Sequence, residues 1–122
     1  MPARLKPASS VEVAGWLRAL SVTEPPPGDA LRGLTKHFLA VLASRAPGKS
    51  VEVRVPPYAA IQCIEGARHT RGTPPATVET DPSTWIRLAT GELSWRQAVD
   101  DGRLRASGER SDLTPLLPLH EA

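Results

Sequence analysis

Apolar positions recur along this chain at two periods, and the period changes mark out its elements. From Ser9 the period is helical. Ser9 and Glu12 have capping-box spacing, and Val13, Trp16, Leu17 and Leu20 recur at i, i+3, i+4 and i+7. After a stretch stiffened by Pro25, Pro26 and Pro27, Asp29 is a good N-cap for a second helix. Leu31, Leu34, Phe38, Val41 and Leu42 make its apolar stripe, with Arg32, Lys36 and Arg45 mostly off it, and Pro47-Gly48 ends it. The period then drops to two. Val51, Val53 and Val55 alternate with Glu52 and Arg54, which predicts a strand with one buried face. Tyr58 to Glu65 predicts a second strand with apolar residues on both faces, as a central strand would have.

The stretch from Thr77 to Leu117 carries the clearest punctuation. Thr77 to Thr80 predicts a strand. Asp81 then caps a helix whose first position is Pro82, where a missing N–H costs nothing. Trp85, Leu88 and Ala89 follow at helical spacing, and Gly91 stands where a left-handed residue ends the helix. Ser94 and Gln97, with Leu93 just before them, start another helix with Trp95, Ala98 and Val99 as its stripe, stopped by Gly102. Arg103 to Ser107 alternates as a half-buried strand. Asp112 to Leu117 is a final short helix capped by Ser111 or Asp112, blocked by Pro118. The pattern predicts an α+β fold of two layers, a small sheet with helices on one face.

Composition narrows this reading. At 122 residues the chain is expected to form one domain, 1–122, with an N-terminal helix and Pro-rich linker over 1–28 and a core over 29–119. Aromatics make up only 4%, so aliphatic residues fill the interior around Trp16, Trp85 and Trp95. Fifteen basic residues nearly balance thirteen acidic ones, and no exposed aromatics interleave the charges. Nucleic acid is therefore not an expected partner. The N-terminus lacks the long apolar run of a secretory signal, and no stretch approaches a membrane span, so a cytoplasmic location without stable membrane insertion is expected.

The candidate chemistry is sparse. His37, His69 and His120 show no metal-site spacing, and Cys63 has no CxxC partner. A Cys63–His69 nucleophilic pair competes with the plainer reading of Cys63 as a small buried residue in a strand. There is no P-loop, GxGxxG or GxSxG. Arg68-His69-Thr70-Arg71-Gly72 is the polar cluster most suited to an anionic headgroup, against the simpler reading of a solvated basic loop. Trp85 and its neighbours fit packed core and pocket wall equally, because both need the same residue types.

The stretch Thr77–Leu117 resembles the sterol carrier protein family. The resemblance lies in Leu88-Ala89-Thr90-Gly91, in the helix around Ala98 and Val99, in Gly102-Arg103-Leu104-Arg105-Ala106-Ser107-Gly108-Glu109, and in the Leu-rich run from Leu113 to Leu119. Arg71-Gly72-Thr73-Pro74-Pro75, Glu79-Thr80-Asp81-Pro82, Trp85 and Ala106 to Arg110 are similar to the actinobacterial branch, the bacterial sterol carrier orthologues. The resemblance implies a small mixed, largely antiparallel sheet covered by helices on one face, with an apolar tunnel between them for sterols, fatty acyl chains or other lipids. It implies no cofactor and no catalysis. The few Met and Phe residues and the Pro-rich loops depart from the animal members, which points to a small or filled cavity.

These readings combine into an expected non-enzymatic binder or carrier of a hydrophobic small molecule or lipid. Its expected wall is Leu34, Phe38, Trp85, Leu88, Val99, Leu113 and Leu117, with Arg68 and Arg71 at the headgroup and Leu113–Leu117 as a movable lid. The alternative is an accessory or protein-interaction domain with a filled core, related to domains attached to mycothiol-dependent enzymes. It would meet a protein partner, or a second copy as a homodimer, through an exposed patch over Leu116 and Leu119.

Overall fold

The computed structural model describes residues 5–66, 76–108 and 110–120. Two helices come first, α1 (Ser10–Val22) and α2 (Gly28–Arg45). The strands β1 (Val51–Val55), β2 (Ala59–Cys63) and β3 (Ala76–Thr80) follow. After them come α3 (Pro82–Thr90), α4 (Trp95–Asp100) and β4 (Leu104–Ser107), and then a single 3-10 turn over Thr114–Leu116.

Local chemistry explains most boundaries. Ser9 and Glu12 close a capping box on α1, and Ser94 and Gln97 close one on α4. The Asp81 carboxylate accepts from the Thr84 N–H at 3.0 Å and the Thr84 hydroxyl at 2.7 Å, with Pro82 in the first turn of α3. Gly91 ends α3 at φ 83°, a left-handed geometry that any Cβ would strain. One expected cap is displaced. The second helix begins at Gly28 with Pro27 at its N-cap and no side-chain cap, so Asp29 sits inside the first turn and pairs with Arg32 at 3.1 Å. The last segment is shorter than the helix expected over 112–117. Asp112 there accepts from both the backbone N–H and the hydroxyl of Thr114, which holds its carboxyl below the usual range.

The strands form one open sheet in the order β2–β1–β3–β4. β1 pairs antiparallel with β2 and parallel with β3, while β3 pairs antiparallel with β4. Val53 lies between Ile61 and Val78, which fixes one register across three strands. Val51, Val53, Val55, Ala76, Val78 and Thr80 are buried, whereas Arg54, Gln62, Glu79 and Arg105 are exposed. The sheet thus has one covered face and one polar face, the arrangement an antiparallel sheet can sustain in water. The second strand is corrected by this topology. It lies at an edge, with Cys63 buried, Ala59 and Ile61 partly buried, and Ala60 and Gln62 exposed. The small, apolar Ala60 made its outer face look buried. In β4 only Leu104 is buried, so the alternation expected there stops after one residue.

On the covered face α2 packs against β2 and α3, and α1 packs against α2. The main core joins Leu34, Phe38, Leu39 and Leu42 to the three valines of β1, Val78, Trp85 and Leu113. A smaller cluster of Leu88, Leu93, Ala98 and Leu104 seats α4 and β4 at the far end.

Candidate functional site

Five of the seven expected wall residues are covered by their neighbours. Leu34, Phe38, Trp85 and Leu113 are 0% exposed and Leu88 is 1% exposed. A side chain facing a void wide enough for an acyl chain would have surface open to that void, and these have essentially none. They are packed core. Leu117 is half-buried beside both clusters. Val99 is 44% exposed and departs from the expectation. The short α4 packs through Ala98 and, in part, Trp95, and Val99 lies next to Ala98 around the helix, turned away from that contact. Arg68, Arg71 and His69 lie outside the described residues.

Polar groups within the interior are few. The indole N–H of Trp85 donates to the Thr35 carbonyl at 3.3 Å. The Thr35 hydroxyl, also fully buried, has no hydrogen-bond partner among the described residues. Cys63 is fully buried as well, and burial pushes its thiol up to about 11. A protonated, covered sulfur is a poor nucleophile. Among the described residues no group of three or more His, Cys, Asp and Glu could hold a metal ion.

The Leu-rich tail is fastened rather than loose. Leu113 is buried, Leu119 is 3% exposed, and the N–H groups of Leu119 and His120 both donate to the Ala89 carbonyl, at 2.8 and 3.0 Å. These bonds satisfy a carbonyl at the end of α3 that the helix itself leaves open. Of the patch expected over Leu116 and Leu119, Leu119 is buried and Leu116 is half-buried.

Two depressions of different chemistry lie among the described residues. One, of about 370 Å³, sits where β1 and β3 end and β4 begins. Pro56, Thr80, Asp81, Arg103 and Arg105 border it, and it is polar and mixed in charge. Within it the Thr80 hydroxyl donates to the Arg103 carbonyl at 2.8 Å, so part of its polar surface is already satisfied.

The second, of about 290 Å³, is an apolar groove formed by three helices. Leu17 and Leu20 of α1, Pro26 of the linker, Leu31 of α2 and Ile86 of α3 make its walls. Ser21, Ser83, Arg87, Thr90 and Glu92 supply polar atoms to its lining. Its geometry follows from how α1 is seated. Trp16 lies against Gly33 of α2, where an added Cβ would come within 2.6 Å of the indole ring. Ahead of α1, the Ala8 N–H donates to Nδ1 of His37 at 2.9 Å. Burial, and then the nearby His120, hold the His37 imidazole below its usual 6.5, which keeps Nδ1 available as an acceptor. The sequence marks Leu17, Leu20 and Leu31 as members of apolar stripes on two helices but gives no sign that they meet. The groove draws on segments far apart in the chain, and no local pattern marks their convergence.

The described residues thus form a two-layer α+β fold, a one-sided mixed sheet with helices packed over its covered face. The family model described as bacterial SCP ortholog, where SCP abbreviates sterol carrier protein, matches residues 28–119, and the chain belongs to this family. Helix α1 lies ahead of the matched region. No curated protein matches the chain. No helix among the described residues is long and apolar enough to cross a membrane.

Proposed function

We propose that this protein binds a hydrophobic small molecule or lipid without transforming it, and that the ligand lies in the groove between α1, α2 and α3. Membership of the bacterial sterol carrier family carries the ligand class. The location rests on the apolar walls of the groove, set against side chains in the sheet–helix interior that have no surface left to offer. Its volume of about 290 Å³ is near the lower limit of ~300–1,000 Å³ for small-molecule sites. The ligand is correspondingly small, or only part of it is enclosed. A cytoplasmic role as a soluble carrier fits this reading.

Native mass spectrometry of protein purified from its own host, with titration by a fluorescent fatty acid, tests the function. A retained lipid-sized mass and saturable binding are expected. Protein that emerges bare and leaves the probe unbound would remove the carrier reading. The filled interior favours a second reading, an accessory domain that meets a protein partner, and that is the reading such a result would leave standing.

A further inference from the structure

We infer that the free edge of β2 is a pairing surface for a second copy of this chain. Two copies join β2 to β2 antiparallel, across a two-fold axis at Ile61, so that two four-stranded sheets become one. The inference rests on the sheet and is independent of the ligand groove.

The two outer strands of the sheet are built differently. β4 has four residues, Arg103 stands just before it and Arg105 within it, and only Leu104 is buried. A short, charged edge resists pairing with another chain. β2 carries none of these devices. Its five residues, Ala59–Cys63, include no charged side chain and no proline. Among the described residues it pairs with β1 alone, so its outward N–H and C=O groups have no strand beside them. Just past its end the Ile64 N–H donates to the Ala46 carbonyl at 2.6 Å, which leaves the strand itself as the open edge.

The side chains along this edge are apolar and only half covered. Tyr58, Ala59, Ile61 and Ile64 are all half-buried, and Ala59, Ile61 and Ile64 pack against the main core while keeping an open flank. Bare backbone beside such a row is what an added strand completes. The strand's own sequence supplies the match. Because side chains alternate between faces, an antiparallel pair joins residues of the same face. Centring on Ile61 keeps the whole strand paired. Ile61 then meets the partner's Ile61 and Ala59 meets the partner's Cys63, all on the covered face. On the open face the small Ala60 leaves room for the partner's Gln62. No charge meets its like, since none of these side chains is ionised at neutral pH. A strand from another protein would need to reproduce this neutral, apolar alternation, which a second copy brings by symmetry.

The test is sedimentation equilibrium of the full chain over a range of concentrations, joined to cysteine cross-linking. The wild-type chain should pass reversibly from its 13.1 kDa mass to twice that value. Ile61→Lys sets two ammonium groups directly opposite each other and should weaken the dimer by about tenfold or more. Ile61→Cys, oxidised mildly, should give a covalent dimer, because directly opposed residues in an antiparallel pair lie about 4.5–5.5 Å apart at Cα, within disulfide reach. Ser107→Cys on the β4 edge should stay a single chain, as should the wild type, whose Cys63 is buried. The cysteine variant decides the matter even where Ile61→Lys fails to fold. Monomer mass at every concentration, with no cross-link at position 61, overturns the inference. Equal cross-linking of Ile61→Cys and Ser107→Cys marks chance collision and overturns it as well. A dimer that forms without the cross-link at position 61 places the contact on another surface and also overturns it.

Discussion

The interior between sheet and helices and the groove between α1, α2 and α3 are built from the same residue types, yet only one of them has room. In the interior Leu34, Phe38, Trp85 and Leu113 are covered on every side. In the groove Leu17, Leu20 and Leu31 are covered on one side and open on the other. Hydrophobicity does not separate a core from a binding site. What separates them is whether neighbouring elements supply enough atoms to fill the space. The interior is closed by four strands, α2, α3 and the tail. The groove is bounded by a helix that touches the rest along one side.

The strongest way to break this comparison is to remove interior volume. Trp85→Ala should cost about 3–5 kcal/mol in urea unfolding and Leu113→Ala about 2–5 kcal/mol, as for packed core. A loss under ~1 kcal/mol at either position, with ligand binding altered, would mean that the interior already opens as a pocket. The next effect has the opposite sign. Thr35→Val exchanges a buried hydroxyl without a partner for a methyl group of similar size, so stability should rise by up to about 1 kcal/mol. A loss of that size instead would show that the hydroxyl is satisfied in solution. In the groove, Leu20→Ala should cost only about 1 kcal/mol or less, since a half-buried side chain forfeits a fraction of its transfer energy, while weakening any ligand seated there.

The smallest effect is set by pH and reaches the segment ahead of α1. Burial and His120 hold the folded-state His37 below 6.5, so the unfolded chain binds the extra proton more readily. This contribution is fully present above about pH 6.5 and is lost as the pH falls through the lower folded value. Protonation at Nδ1 also removes the acceptor for Ala8. The urea midpoint should therefore fall modestly from pH 7.5 to 5, and His37→Gln should flatten that slope. Hydrogen exchange at low pH should speed up in the segment around Ala8 before it does in β1. Equal acceleration in both would mean that α1 and the interior open as one unit.

Much of the fold was legible because its boundaries are written locally. Ser9 with Glu12, Asp81 with Pro82, Gly91, and Ser94 with Gln97 each state a helix end within four residues. The alternation in β1 states its buried face. What was not legible depends on partners distant in the chain. Ala60 reads as buried until the sheet order places β2 at an edge, and Val99 reads as pocket wall although the short α4 leaves it exposed. The groove was hidden for the same reason. Leu20, Leu31 and Ile86 belong to three helices, and only their packing shows that a gap remains between them.

Gly33 carries a consequence for heredity. A glycine inside a helix costs about 0.5–1 kcal/mol relative to alanine, and here it gives the Trp16 indole a place to lie. The two positions form a lock and its key on separate helices, and a substitution at either is felt at the other. Homologues that carry an indole at the first position should carry a minimal residue at the second, and should share the groove. Where the second position is bulky, the leading helix must sit elsewhere, and such lineages should bind their ligands by another route.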